Sequence, residues 1–224
     1  MNILLTAGAT REYLDAVRFF TNVSTGSTGA QLADALAAHG HAVTLLRGEA
    51  AAAPATLPDS ALHTFSSCEN LQSQLRAHLA TGAFDAVIQC AAISDYRPAE
   101  TLPGKLSSYA PELTLRLVPT PKLLPALKAT APAGRVPLVI GFKLTATTDS
   151  AERLLAVSKL FVSGTVDAVI HNDAGDLGSG NQRPFRAYVA AHLPPVTLAG
   201  TAALAEWLHT FISGSTLAPA PRIS

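Results

Sequence analysis

Apolar runs and polar interruptions alternate along this chain with a regular rhythm. Residues 3–6 (Ile-Leu-Leu-Thr) are a short apolar run of the kind that fills a buried parallel strand. A turn at Ala7-Gly8-Ala9-Thr10 and a polar loop with Arg11, Arg18 and Asn22 follow. Ser24-Thr25-Gly26-Ser27-Thr28-Gly29 then opens a helix with Leu32, Ala33 and Leu36 among its apolar positions, and Gly40 is placed to end it. Further strands are predicted at residues 42–46, 62–65, 86–91, 138–142 and 166–171. Between them lie a helix led by Ser66-x-x-Glu69, with Leu71, Leu75 and Leu79 on one face, and a helix led by Asp149-x-x-Glu152 running to about Val162. A last amphipathic helix covers residues 201–211, with Leu204, Leu208 and Phe211 inward. Repeated βα units predict an α/β fold with a doubly wound, mostly parallel sheet. Ligands of such sheets bind beyond the carboxyl ends of the strands.

Two stretches break the rhythm. Residues 98–111 form a long loop with no core signal, which points to function or disorder. Residues 112–118 alternate Leu113, Leu115 and Leu117 against Glu112, Thr114 and Arg116, the pattern of a half-exposed strand. Loop and strand together suggest a flap or a dimer contact. Residues 185–190 and 196–198 read as a small antiparallel edge. Residues 213–224 are rich in Ser, Pro and Ala and are expected to be a disordered tail, leaving residues 1–212 as one domain.

Composition narrows the classes. With 224 residues, 48% of them hydrophobic, the chain can bury a sizeable core. Zero formal net charge offers no attraction for nucleic acid or an acidic membrane. No apolar run reaches transmembrane length, and the start lacks the basic region of a signal peptide, so a cytoplasmic protein is expected. Cys68 and Cys90 have no CxxC spacing and read as reduced thiols, and the seven histidines form no metal motif.

The chemistry collects at the ends of strands. The Gly/Ser/Thr segment before the first helix has the makings of an anion site, with small residues, hydroxyls and free helix N–H groups. It is neither a P-loop nor G-x-G-x-x-G, and an ordinary capped helix fits it equally well. Three more clusters lie at Ala91-Ala92-Ile93-Ser94-Asp95-Tyr96-Arg97, Gly104-Lys105-Leu106, and Gly141-Phe142-Lys143 beside Asn172-Asp173. Of only five lysines, two, Lys105 and Lys143, fall in these clusters. Each cluster taken singly also reads as structural: a surface ion pair, a solvated loop charge, a turn. No nucleophile elbow is present, and no Tyr stands four residues before a Lys as a short-chain dehydrogenase needs. The remaining inventory suits nucleotidyl transfer, which depends on positioning and charge stabilisation.

The stretches LLTAGATREYLDAVRFFTNVSTGSTG, QCAAISDYRP, GKL, ELTLRLVPTPKLL, VIGFKL and DAVIHND, in that order, resemble the phosphopantothenate–cysteine ligases of coenzyme A biosynthesis in their free-standing form. The resemblance implies a Rossmann-like fold with a flap and dimerisation insertion, usually a homodimer. It implies CTP or ATP with Mg²⁺ as co-substrate, an acyl-nucleotidylate of 4′-phosphopantothenate, attack by the amine of cysteine, and no flavin. By position it implies that Asn22 holds the acyl intermediate, Arg18 supports it, and Lys105 reaches the triphosphate from a closing loop. Gly8, Thr10, Ser24, Thr25, Gly26 and Gly29 would bind the nucleotide with Ala92, Asp95, Phe142 and Lys143, Asp95 lying near the metal. The chain departs from the family at Ala9, where a second glycine is usual, at Ser107 and Ser108, where further lysines are common, and at Thr145, often a glutamate. These departures leave open a non-catalytic nucleotide-binding relative. An NAD(P)-dependent reductase, with Arg47 reading a 2′-phosphate, is a third reading.

Overall fold

The structure is a computed structural model of the chain that describes residues 1–224 except 108, 110, 111, 163, 177–182 and 216–224. In chain order it runs β1 (Asn2–Ala7), β2 (Arg11–Tyr13), β3 (Phe19–Thr21), α1 (Ser27–Ala38), β4 (Ala42–Gly48), β5 (Leu62–Phe65), α2 (Cys68–Leu79) and β6 (Ala86–Gln89). Then follow β7 (Tyr96–Pro98), β8 (Leu117–Pro119), the short α3 (Leu127–Thr130), β9 (Leu138–Thr145), α4 (Ser150–Phe161), β10 (Ala168–Asp173), β11 (Pro184–Tyr188), β12 (Val196–Ala199) and α5 (Gly200–Ser215).

Eight strands form the central sheet in the order β12-β11-β10-β9-β6-β1-β4-β5. The strands from β10 to β5 in that order are parallel, and β11 and β12 add an antiparallel edge. The chain leaves β1 toward β4 and β5, then returns to lay β6 on the other side of β1. That reversal opens a crevice above the carboxyl ends of β1 and β6.

Period-two alternation sorts the strand residues between two cores. Ile3, Leu5, Val43, Ile88, Ile140 and Ile170 meet Leu32 and Leu36 of α1 and Leu204 and Leu208 of α5. Leu4, Leu46, Val87, Val139 and Val169 meet Leu71, Leu75 and Leu79 of α2, Leu127 of α3 and Val157 of α4. The doubly wound, mostly parallel architecture expected from the sequence is the architecture present.

Helix ends show local chemistry at work. Gly40, with φ +81°, follows α1; its N–H donates to Ala37 and that of His41 to Leu36, a Schellman closure. Asp149 caps α4 by accepting from the Ala151 N–H at 2.7 Å. At α2 the cap is Ser67, its hydroxyl accepting from the Asn70 N–H, one residue later than the expected Ser66, whose own N–H donates to Oδ1 of the Asn70 side chain.

Other boundaries move because of tertiary partners. The polar loop after β1 folds into the antiparallel hairpin β2–β3. Within residues 112–118 only the end forms a strand, as β8 pairs with the three-residue β7 and has no longer partner. The described residues 112–116 are irregular. Residues 213–215 belong to α5, and 216–224 of the expected tail lie outside the described residues.

Candidate active site

The crevice above β1 and β6 holds a cavity of about 340 Å³. Gly8 follows β1, Ala91 and Ala92 follow β6, and residues 23–29 lead into α1; the far wall is Phe142, Leu144, Asn172, Arg183 and Phe185. Two backbone bonds hold the loops together: Ala92 N–H donates to Gly8 at 2.7 Å and Thr10 N–H to Ala92 at 3.2 Å. Thr10 is fully buried, and its hydroxyl accepts from the Ser94 N–H at 3.0 Å.

The N-terminus of α1 is built for close approach. Gly26 caps it in the left-handed region at φ +73°, with no side-chain cap bond and no acidic residue in the first turn. The Ser27 N–H reaches the Thr25 hydroxyl at a long 3.4 Å, and the first-turn N–H groups and the positive end of the helix dipole face the cavity. Gly29 lets α1 lie directly on β1: a Cβ there would come 2.3 Å from Cβ of Ala7. Ala9 is accommodated without strain. No non-glycine among the described residues has positive φ, and the tight approach is made by Gly48, where a Cβ would lie 2.6 Å from the Ala9 carbonyl oxygen.

Of the sequence candidates, Gly8, Ser24, Thr25, Gly26, Gly29, Ala92 and Phe142 all line this one cavity. Thr10 stands beneath it as a tie between loops. Asn22 adjoins it through Val23, its amide donating to the Ile93 carbonyl at 3.1 Å. Arg18 lies outside the lining, its guanidinium on Asp15 at 2.8 Å and on the Leu106 carbonyl at 3.2 Å. Lys105 is exposed on a loop docked against the turn of the hairpin and does not line the cavity.

Two candidates are displaced. Lys143 follows Phe142 in β9, so alternation sends it to the face packed by α4, away from the cavity. Asp95 is exposed and paired with Lys122, and no group of three His, Cys, Asp or Glu among the described residues forms a metal site. Asp95 alone does not make a protein cage for Mg²⁺. One exposed carboxylate does fit an ion that keeps its waters and arrives on substrate phosphates.

The sequence reading missed Arg183 and Phe185. Arg183 is the one charged side chain lining the cavity among the described residues. Its position depends on β11 running antiparallel, which carries the start of that strand to the ligand edge. Asn172 reaches the cavity, whereas Asp173 points to the opposite face. There the Thr145 hydroxyl donates to Asp173 and sits 2.8 Å from Nε2 of His171. The Thr145 bond is the main cause holding the Asp173 carboxyl below its usual range, helped by the Gly175 and Thr147 N–H groups and Arg153. Thr145 thus serves a buried network. Cys90 lines the cavity as a neutral thiol, burial pushing it up to about 12; burial and Glu12 raise Cys68 to about 11.

Comparison with known proteins gives this geometry a family. Residues 1–190 match the model for the DNA/pantothenate metabolism flavoprotein C-terminal domain. The chain is 31% identical over 177 residues, 79% of its length, to a coenzyme A biosynthesis bifunctional protein CoaBC of Thermococcus kodakarensis, and spans 42% of that relative. Its fold is that of a DNA/pantothenate metabolism flavoprotein from Streptococcus pneumoniae, with TM-score 0.82, 24% identity, 96% of this chain and 99% of the other covered. It is also that of a Cab2 mutant in complex with phosphopantothenate-cysteine, with TM-score 0.73, 16% identity and coverages of 97% and 89%. This chain therefore belongs to the family of the DNA/pantothenate metabolism flavoprotein C-terminal domain.

Proposed function

We propose that the protein is a phosphopantothenate–cysteine ligase of coenzyme A biosynthesis, using CTP or ATP. The observation that carries this is the glycine-capped N-terminus of α1, free of acidic side chains, opening into the crevice where the strand order reverses. The match to a CoaBC relative and the fold shared with a protein seen with phosphopantothenate-cysteine support the substrates.

In this reading the α1 N–H groups and the hydroxyls of Ser24 and Thr25 hold phosphates, and Phe142 and Phe185 offer apolar faces to the base or ribose. Arg183 adds positive charge inside the cavity. A carboxylate oxygen of 4′-phosphopantothenate attacks the α-phosphorus, and the bond to the leaving pyrophosphate breaks. The amine of cysteine then attacks the activated carbonyl carbon, the bond to the nucleoside monophosphate breaks, and the amine gives its proton to solvent. Asn22 donates to the carbonyl oxygen as negative charge develops on it. Arg18 and Lys105 supply cations at the rim, Lys105 from the loop docked on the hairpin turn, which helps keep water from the mixed anhydride. Asp95 would hold Mg²⁺, which would offset the charge of the phosphates; the exposed Asp95–Lys122 pair that now occupies this carboxylate is weakly held. The ligation involves no oxidation or reduction and so has no use for a flavin.

A homodimer and a cytoplasmic location complete the reading. Exposed Val17, Phe19, Phe20, Tyr96, Leu113 and Leu117 give the hairpins and the segment before β8 an apolar surface suited to a second copy. The unpaired cysteines suit a reducing compartment. The deciding experiment measures pyrophosphate released from CTP, and separately from ATP, with phosphopantothenate and no cysteine. Release with at least one nucleotide, dependent on phosphopantothenate, is expected; none with either would mean nucleotide binding without catalysis.

A further inference from the structure

The hairpin turn between β2 and β3 contains a carboxylate with no exposure to solvent. Asp15 is 1% exposed, yet it faces the long loop after β7. Its Oδ1 accepts from the N–H groups of Val17 at 2.8 Å and Arg18 at 2.7 Å. Its Oδ2 accepts from Arg18 Nη1 at 2.8 Å and, across 91 residues of chain, from the Leu106 N–H at 2.9 Å. Around this bond lie three further ties. Ala16 N–H donates to Gly104 at 3.1 Å, Arg18 Nη1 to the Leu106 carbonyl at 3.2 Å, and Leu102 N–H to Leu14 at 2.9 Å. Lys105 therefore has both flanking residues fastened to the same turn while its own side chain stays exposed.

From this geometry we infer that Asp15 is a positioning residue: its carboxylate latches the loop so that Lys105 is presented to the site from a fixed main chain. The inference rests on the proposed role of Lys105, and the latch itself can be tested without it. A charged acceptor is the fitting choice. A hydrogen bond to an ionised group is stronger than a neutral one, and this carboxylate already has its geometry set by the Val17 and Arg18 donors. The Leu106 N–H is the largest cause holding the Asp15 carboxyl down to about 2, so the latch stays ionised throughout the neutral range. Arg18 completes the latch by holding Asp15 and the Leu106 carbonyl together, joining loop and turn at both ends of one residue.

The Lys105–Leu106 peptide bond is a trypsin site whose N–H is the latched group, so proteolysis reads the latch directly. Cleavage of a folded protein tracks the population in which the segment is open. In Asp15→Ala, cleavage after Lys105 should be faster than wild type by about tenfold or more, the scale of losing a hydrogen bond to a charged partner. Cleavage after Arg47, inside the central-sheet strand β4, serves as the reference for general unfolding. If Asp15→Ala is cut everywhere, Asp15→Asn decides, since it keeps the shape and an acceptor but loses the charge; a several-fold rise confined to Lys105 is expected. Rates at Lys105 equal to wild type in the folded variants would overturn the latch. For the coupling to Lys105, pyrophosphate release should fall in Asp15→Asn with nucleotide KM little changed. The double variant with Lys105→Ala should be no slower than Lys105→Ala alone. Fully additive losses would overturn the positioning role. Wild type without pyrophosphate release would sink the ligase reading and leave the latch to be judged by proteolysis.

Discussion

Asn22 sits at the end of β3 with one amide hydrogen committed to the Ile93 carbonyl, which orients the group at the edge of the cavity. If it donates to the acyl intermediate, Asn22→Ala should lower turnover by about 10²–10³ and leave nucleotide affinity nearly intact. Single-turnover kinetics beside nucleotide titration measure both; wild-type turnover would remove Asn22 from the mechanism. On the other face of the sheet, His171 is fully buried, and with the Thr145 hydroxyl donating to Asp173, its Nε2 carries the proton toward Thr145. Its Nδ1 has no partner among the described residues. Burial first, then Arg186 and Arg153, lower its pKa; burial does the same for His41 and His78. These rings are neutral in the fold and bind protons more readily when unfolded. Stability should therefore be full above the ordinary histidine value of about 6.5 and decline as pH falls below it. Asp15 and Asp173 add a second loss below the ordinary carboxylate range, since their stabilisation needs the ionised form. Melting temperature followed from pH 8 to pH 5 should fall in wild type and fall less in His171→Gln; a flat wild-type curve would contradict this.

Helix α1 shows how an element serves the site through what it lacks. Its N-cap is a glycine that offers no side chain, and its contact with β1 depends on the absent side chain of Gly29. Gly29→Ala would push a methyl into Ala7, and the overpacking should cost about 1–3 kcal/mol. Urea unfolding measures it; an unchanged midpoint would show that α1 can shift freely on the sheet. The same element scale explains what was legible beforehand. Residues 24–29 announced a glycine-rich helix start, and the cavity does form there. Phe142-Lys143 was readable as a strand end, but adjacent strand residues face opposite ways, so Lys143 could not share the cavity with Phe142. The stretch 112–118 carried a strand pattern, but a strand also needs a partner, and β7 offers only three residues.

At the scale of the whole molecule, two small hairpin ribbons stand off the main sheet and expose apolar side chains. If these ribbons meet their copies about a twofold axis, light scattering at micromolar concentration should report twice the 23.2 kDa chain mass. Charged substitutions at Phe20 and Tyr96 together should shift the protein to monomer; a wild-type monomer would overturn the dimer. The sequence by itself determined the α/β class, most of the central strands, the start of α1 and the family resemblance. These follow from local periodicity and from short motifs whose chemistry is contained within a few residues. Tertiary structure alone decided the rest. It laid the expected antiparallel edge against β10 and so brought Arg183 and Phe185 to the ligand edge. It paired Asp95 with Lys122, and it set Leu106 on Asp15 across 91 residues. Such choices depend on which distant segments come within a hydrogen bond of each other, and no local pattern of residues encodes that distance.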